Sequence, residues 1–318
     1  MFIEQGFKGK NDWWRTLITT IVSTIFLIAS IITYFSISKE EYLKILKDSK
    51  SDSNNLSLFY NLFPFVFLLG ILLIFVQLLH KRNIISLVTF KKNIDFGKIF
   101  FSFSLIVIIS IITFFISYLN NNSGIELNFN PFKFSILLII SLVLFPFQIS
   151  YEEFLFRGYL MQQIGVILKN RWSPLIITSV TFGLMHCANP EVSEMGFGVM
   201  VFYIGTGFLL GIMTLMDESM ELAIGFHLGN NLMASILITS SFSALETDAI
   251  FKYTKVQDSA TLLNEMIISI LIAYPIILFI FSKKYGWSNW KEKLTGNIKD
   301  ETLLEFIKLG ENEESNIR

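Results

Sequence analysis

Two adjacent glutamates, Glu152 and Glu153, stand where a long, nearly uncharged run closes. Four positions past the second comes Arg157. Two further apolar runs downstream each carry a histidine. The first holds Phe182 and, four residues on, His186; the second holds His227 and, four residues on, Asn231. Ionisable groups in or beside membrane-length apolar segments are costly to keep there. Their residue types are those that activate a water and stabilise an anion.

Spacing divides the labour among them. On a helix, Glu153 and Arg157 are i and i+4, share a face and can pair, with the acid favourably on the N-terminal side. Glu152 projects about 100° away. One carboxylate is tied and its neighbour is free to act as a base. His227 and Asn231 are likewise i and i+4, and both can donate hydrogen bonds, as an oxyanion hole requires. Each group has a plainer reading: a helix-end salt bridge, a histidine bonded to a nearby carbonyl, and polar glue between helices. Cys187 follows His186 directly, points elsewhere on a helix, and reads as packing. Gln77, Gln148, Glu221 and Glu265 show no evident partner and read as structural.

These groups must be positioned by an apolar scaffold. The 318 residues are 53 % hydrophobic, with a mean hydropathy of +0.58. Only 16 % are charged, against about 25 % in an average soluble domain. The expected class is an all-α polytopic membrane protein. Eight candidate spans fall at roughly 16–37, 58–79, 99–119, 134–153, 173–190, 195–215, 220–240 and 261–282. Those at 173–190 and 220–240 are weak, polar and glycine-containing, as spans facing a bundle interior are. With eight spans, the N-terminus, 80–98, 154–172, 216–219 and the C-terminal tail share one side. That side holds the larger share of the 25 Lys and Arg. The positive-inside rule then places both termini and the end of the fourth span in the cytoplasm.

The expected domains are a membrane domain over 1–282, with a core at about 134–240, and a polar cytoplasmic tail over 283–318. Residues 81–98 read as an interfacial amphipathic segment, and 300–309 as a short amphipathic helix. Asn121-Asn122-Ser123 matches a glycosylation sequon by chance. A net charge of −1 and no basic stripe give no sign of nucleic acid. A single cysteine excludes a disulfide framework and a thiolate metal site. There is no HExxH helix, no GxSxG elbow, no P-loop and no pair of in-span aspartates.

As an ordered set, Glu152-Glu153-x-x-x-Arg157, Phe182-x-x-x-His186 and His227-x-x-x-Asn231 resemble the CPBP family, the CAAX proteases and bacteriocin-processing enzymes also called Abi. The resemblance implies an intramembrane endopeptidase of glutamate type. Glu152 and His186 would activate a water, His227 and Asn231 would hold the oxyanion, and Glu153 and Arg157 would orient the site. It implies a membrane-associated protein or peptide substrate in a bacterial cell membrane, with the site towards the cytoplasm. No cofactor is required by a direct glutamate–water mechanism, although two Glu and two His could bind zinc in principle. The competing classes are a non-proteolytic scaffold or bacteriocin self-immunity protein, and a proton-coupled transporter. Against the transporter, no repeated half is visible.

Overall fold

The computed structural model describes residues 1–49, 53–120, 124–240, 243, 246–253 and 259–298. The sequon and the 300–309 helix lie outside these residues. Eight principal helices follow the apolar runs. They are α1 (Trp13–Ser36), α2 (Asn54–Leu79), α3 (Phe96–Leu119), α4 (Pro131–Leu168), α5 (Trp172–Leu184), α6 (Phe197–Asp217), α7 (Glu221–Ile236) and α8 (Leu263–Tyr285). Six of the eight are long and apolar enough to cross a bilayer. The exceptions are α5 and α7, with 13 and 16 residues. At about 1.5 Å per residue they fall short of a hydrocarbon core of about 30 Å. Large side chains such as Phe26, Phe67, Phe100, Ile139 and Phe279 point outward, which suits lipid and not water.

Contacts between the connecting segments alternate between the two ends of the bundle. At one end, Glu218 accepts from the Phe2 backbone N–H and from Arg171, which also pairs with Glu4 at 2.9 Å. The Met220 N–H donates to Val88 O, and Lys98 pairs with Asp217 at 2.6 Å. At the other end, Tyr42 donates to Ala188 O and Asn55 to Lys133 O. A small sheet closes that end. Strand β1 (Ile125–Leu127) runs antiparallel to β3 (Phe251–Tyr253), which runs parallel to β2 (Ile238–Thr239).

Four sequence expectations change. The predicted loop 154–172 is mostly helix, because α4 continues to Leu168 as one rod of 38 residues. Its polar residues are satisfied without leaving the helix: Gln162 donates to Ser86 O and Gln163 to Asn11 Oδ1. The predicted span 173–190 is instead α5, a turn through His186, and a short helix Pro190–Met195. The 81–98 segment is partly packed into the bundle end, where Ser86, Leu87, Val88 and Thr89 are buried. Arg82 is buried there, with Nε on Ser86 Oγ at 2.7 Å; burial lowers its guanidinium to about 10. The start of the polar tail also docks. Trp287 donates to Asp217 at 3.3 Å, and buried Ile298 donates through its N–H to Lys169 O.

The helix that carries His227 and Asn231 is set by a close approach to α3. A Cβ on Gly225 would fall 2.2 Å from Ile99 O, a backbone atom that cannot step aside. Gly225→Ala is therefore expected to lower stability by about 1–3 kcal/mol, the usual range for overpacking. Gly70→Ala is the control, since nothing lies within 4 Å of its added Cβ. Detergent melting of both variants checks this, and equal melting points would contradict it.

Candidate active site

Glu152 and Glu153 lie within α4, not at its end. The backbone widens into a π-helical stretch directly after them, Phe154–Leu160, which contains Arg157. Such turns recur at functional positions because they re-aim side chains. Glu153 and Arg157 are fully buried and Glu152 nearly so.

Arg157 is gripped from three sides. Its Nη1 donates to Glu153 Oε1 at 3.1 Å and its Nη2 to Gly207 O at 3.3 Å. Its guanidinium lies 4.2 Å over the Phe182 ring, a favourable cation–π placement. Gly207 allows that approach of α6, since a Cβ there would sit 2.6 Å from Ser179 O on α5.

His227 reaches this pair from α7. Its Nδ1 lies 2.8 Å from Glu153 Oε1. That oxygen already accepts from Arg157, so Nδ1 carries the proton and donates. Glu153 is thereby committed to two partners through one oxygen. The other ring nitrogen, Nε2, lies 3.6 Å from Glu152 Oε2, beyond a direct hydrogen bond. In the singly protonated ring Nε2 is a lone pair; in the imidazolium it is a donor.

Glu152 is differently placed. Its Oε1 accepts from Gln148 Nε2 at 3.1 Å, whereas its Oε2 is buried without a hydrogen-bond partner. The i, i+4 spacing of Gln148 and Glu152 was the available signal for this contact, and reading Gln148 as partnerless passed over it.

His186 sits in the turn after α5. Its Nδ1 is 2.8 Å from Phe182 O. A carbonyl only accepts, so Nδ1–H donates, and in the singly protonated ring Nε2 is then the lone pair. The ring stacks on Tyr203 of α6, with centroids 4.4 Å apart and planes at 18°. The Tyr203 hydroxyl accepts from Asn189 at 3.1 Å. Neither Tyr203 nor Gly207 carries a sequence signal, since both act through packing across helices. Phe182 is the hub: the rings of His186 and His227 lie 4.9 and 5.8 Å from its own.

Asn231 is half-buried one turn beyond His227, and its Oδ1 accepts from Asn230 at 3.4 Å. Cys187 is buried. Among the described residues, no three His, Cys, Asp or Glu side chains are grouped to hold a metal ion. A structural or catalytic zinc takes three or four such ligands.

The arrangement thus holds one buried carboxylate paired with Arg157 and His227 through Oε1, and beside it a second whose Oε1 is held only by Gln148; the Oε2 of each has no hydrogen-bond partner. Comparisons with known proteins bear on the same stretch. The family described as type II CAAX prenyl endopeptidase Rce1-like matches residues 131–233. "Uncharacterized protein YyaK" of Bacillus subtilis (strain 168) is 30 % identical over 169 residues, 53 % of this chain and 56 % of YyaK. The chain therefore spans about half the length of that relative. No solved structure matches. The apolar helices and this match describe a multi-pass membrane protein. The match contains all three polar motifs, and it makes residues 131–233 of this chain similar to the Rce1-like protease family.

Proposed function

We propose that this protein is an intramembrane glutamic endopeptidase that hydrolyses a peptide bond in a membrane-associated protein or peptide. The observation that carries the reading is the unequal burial partnership of the two glutamates. Glu153 is held by Arg157 and His227 through Oε1, while Glu152 Oε1 is held only by the Gln148 amide; the Oε2 of each has no hydrogen-bond partner.

In this reading Glu152, assisted by His186, takes a proton from water as the water oxygen attacks the carbonyl carbon. The C=O π electrons move to oxygen, giving a tetrahedral oxyanion. His227, as imidazolium, and Asn231 donate to that oxygen. Collapse re-forms the carbonyl, breaks the C–N bond and returns a proton to the leaving amine. Glu153 and Arg157 orient His227 and the helix turn that presents Glu152. The domain is 1–282, onto which the start of the tail docks through Trp287 and Ile298, with the core at about 134–240. The end of the bundle that holds residues 2–4 and 287–298 faces the cytoplasm of a bacterial cell, in line with the basic residues gathered there.

The test compares wild-type protein with Glu152→Ala in detergent against a panel of peptides and membrane proteins, including a prenylated CAAX peptide, with products identified by mass spectrometry. New termini that appear only with wild type support the reading. Identical product sets from both proteins refute it. The mechanism uses no metal, so activity is expected to survive EDTA and phenanthroline. Loss on chelation with recovery on added zinc would establish a metalloprotease instead.

A further inference from the structure

Gln148 has no task in the scheme above. It lies one turn before Glu152 on α4 and donates from Nε2 to Glu152 Oε1 at 3.1 Å. Its own Oε1 is closed off from solvent and has no hydrogen-bond partner, and the same is true of Glu152 Oε2. Two orphaned acceptors therefore flank one hydrogen-bonded pair. Turning the amide over does not relieve this. It would set Gln148 Oε1 against Glu152 Oε1, two acceptors that only a protonated carboxyl tolerates. Buried acceptors are ordinarily paired, and beside a reacting carboxylate a donor from outside the chain can pair these two. The reacting water supplies one for Glu152. A peptide supplies the other, because every residue except proline carries a backbone N–H.

We propose that Gln148 is a substrate-binding residue, which fixes Glu152 through Nε2 and accepts a backbone N–H of the bound peptide through Oε1. This rests on the peptidase reading and deepens it. It also defines the substrate's conformation. In the interior of an α-helix each N–H is already bonded to the carbonyl four residues back. The contact is open only to an extended segment, a helix end, or a helix unwound at that point. It reads backbone, so it tolerates any side chain there but excludes proline.

The experiment takes a peptide whose cleavage depends on Glu152 and replaces its amides one at a time by esters, leaving the scissile bond intact. Each ester removes a single N–H. Wild type and Gln148→Met are assayed on every analogue, with detergent melting recorded for both. At one position the ester is expected to lower kcat/KM of wild type about tenfold, the worth of one ordinary hydrogen bond. At that position Gln148→Met is expected to change less than about twofold, since its contact is already gone. The same variant is expected to lose about tenfold or more on the parent peptide.

Wild type indifferent to every ester would overturn the proposal without any variant, so it stays testable even if Gln148→Met fails to fold. Equal responses of the two proteins at every position would overturn it also, and would leave Gln148 a structural residue in a working peptidase. Absence of any Glu152-dependent cleavage refutes the peptidase reading itself, and this inference falls with it.

Discussion

Glu152→Gln is expected to lower turnover by at least about 10³-fold while leaving detergent melting within about 1 °C of wild type. General-base catalysis contributes about 10²–10⁴-fold, and a neutral amide cannot take the water's proton. The fold has little stake in the charge. Glu152 Oε2 has no hydrogen-bond partner to lose, His227 Nε2 standing 3.6 Å away, and an amide oxygen can still accept from Gln148. Glu153→Gln is expected to differ. Its Oε1 is shared by Arg157 and His227, so neutralising it should disturb both and lower stability with activity. Turnover and melting of the two variants, measured side by side, decide the roles. Full activity in Glu152→Gln with none in Glu153→Gln would reverse the assignment.

Arg157→Met should unfold the protein most readily. Removing one partner of a fully buried ion pair typically costs about 3–5 kcal/mol, because the other charge is left without compensation. Here the side chains of both Arg157 and Glu153 have no exposed surface. The Gly207 carbonyl and the face of Phe182 also lose their partner. Arg157→Lys keeps a charge but not a planar fork that serves two acceptors and stacks on a ring, so it should recover only part of the loss. Adding Glu153→Gln to Arg157→Met removes the stranded charge. The double variant is expected to melt higher than Arg157→Met while remaining inactive. A double variant that melts no higher would show that the loss comes from packing and not from the pair.

The sequence carried the site's polar members because each is an outlier in its surroundings. A charge in an apolar run stands out, and i, i+4 spacing then says which groups share a face. That logic gave Glu153 with Arg157, and the same logic was available for Gln148 with Glu152. Hydropathy misled where polarity was locally satisfied. The fall after Glu153 resembles a helix exit, yet α4 runs on because Gln162 and Gln163 find partners on other segments. The chain cannot carry α5 far past His186, because Asn189 precedes Pro190 and a residue before proline avoids helical geometry. Tyr203, and the contacts of Phe182 with Arg157 and both histidines, became visible only with tertiary structure. Stacking on His186 and spanning two histidines are relations between helices, which no single stretch encodes.

The helix bearing His227 and Asn231 has a consequence for how the chain matures. Too short and polar to partition into lipid unaided, α7 carries Glu221, His227, Asn230 and Asn231 along 16 residues. Insertion scales charge heavily for such groups at a helix centre. The earlier-synthesised α3 and α4 supply what lipid does not: a backbone that Gly225 can approach and a carboxylate for His227. Entry of α7 is thus a docking event that needs its neighbours already in place. A nascent chain that has delivered only its first six helices holds Glu152 and His186 but neither His227 nor Asn231. Under the proposed mechanism, synthesis itself would delay competence until the bundle is nearly complete.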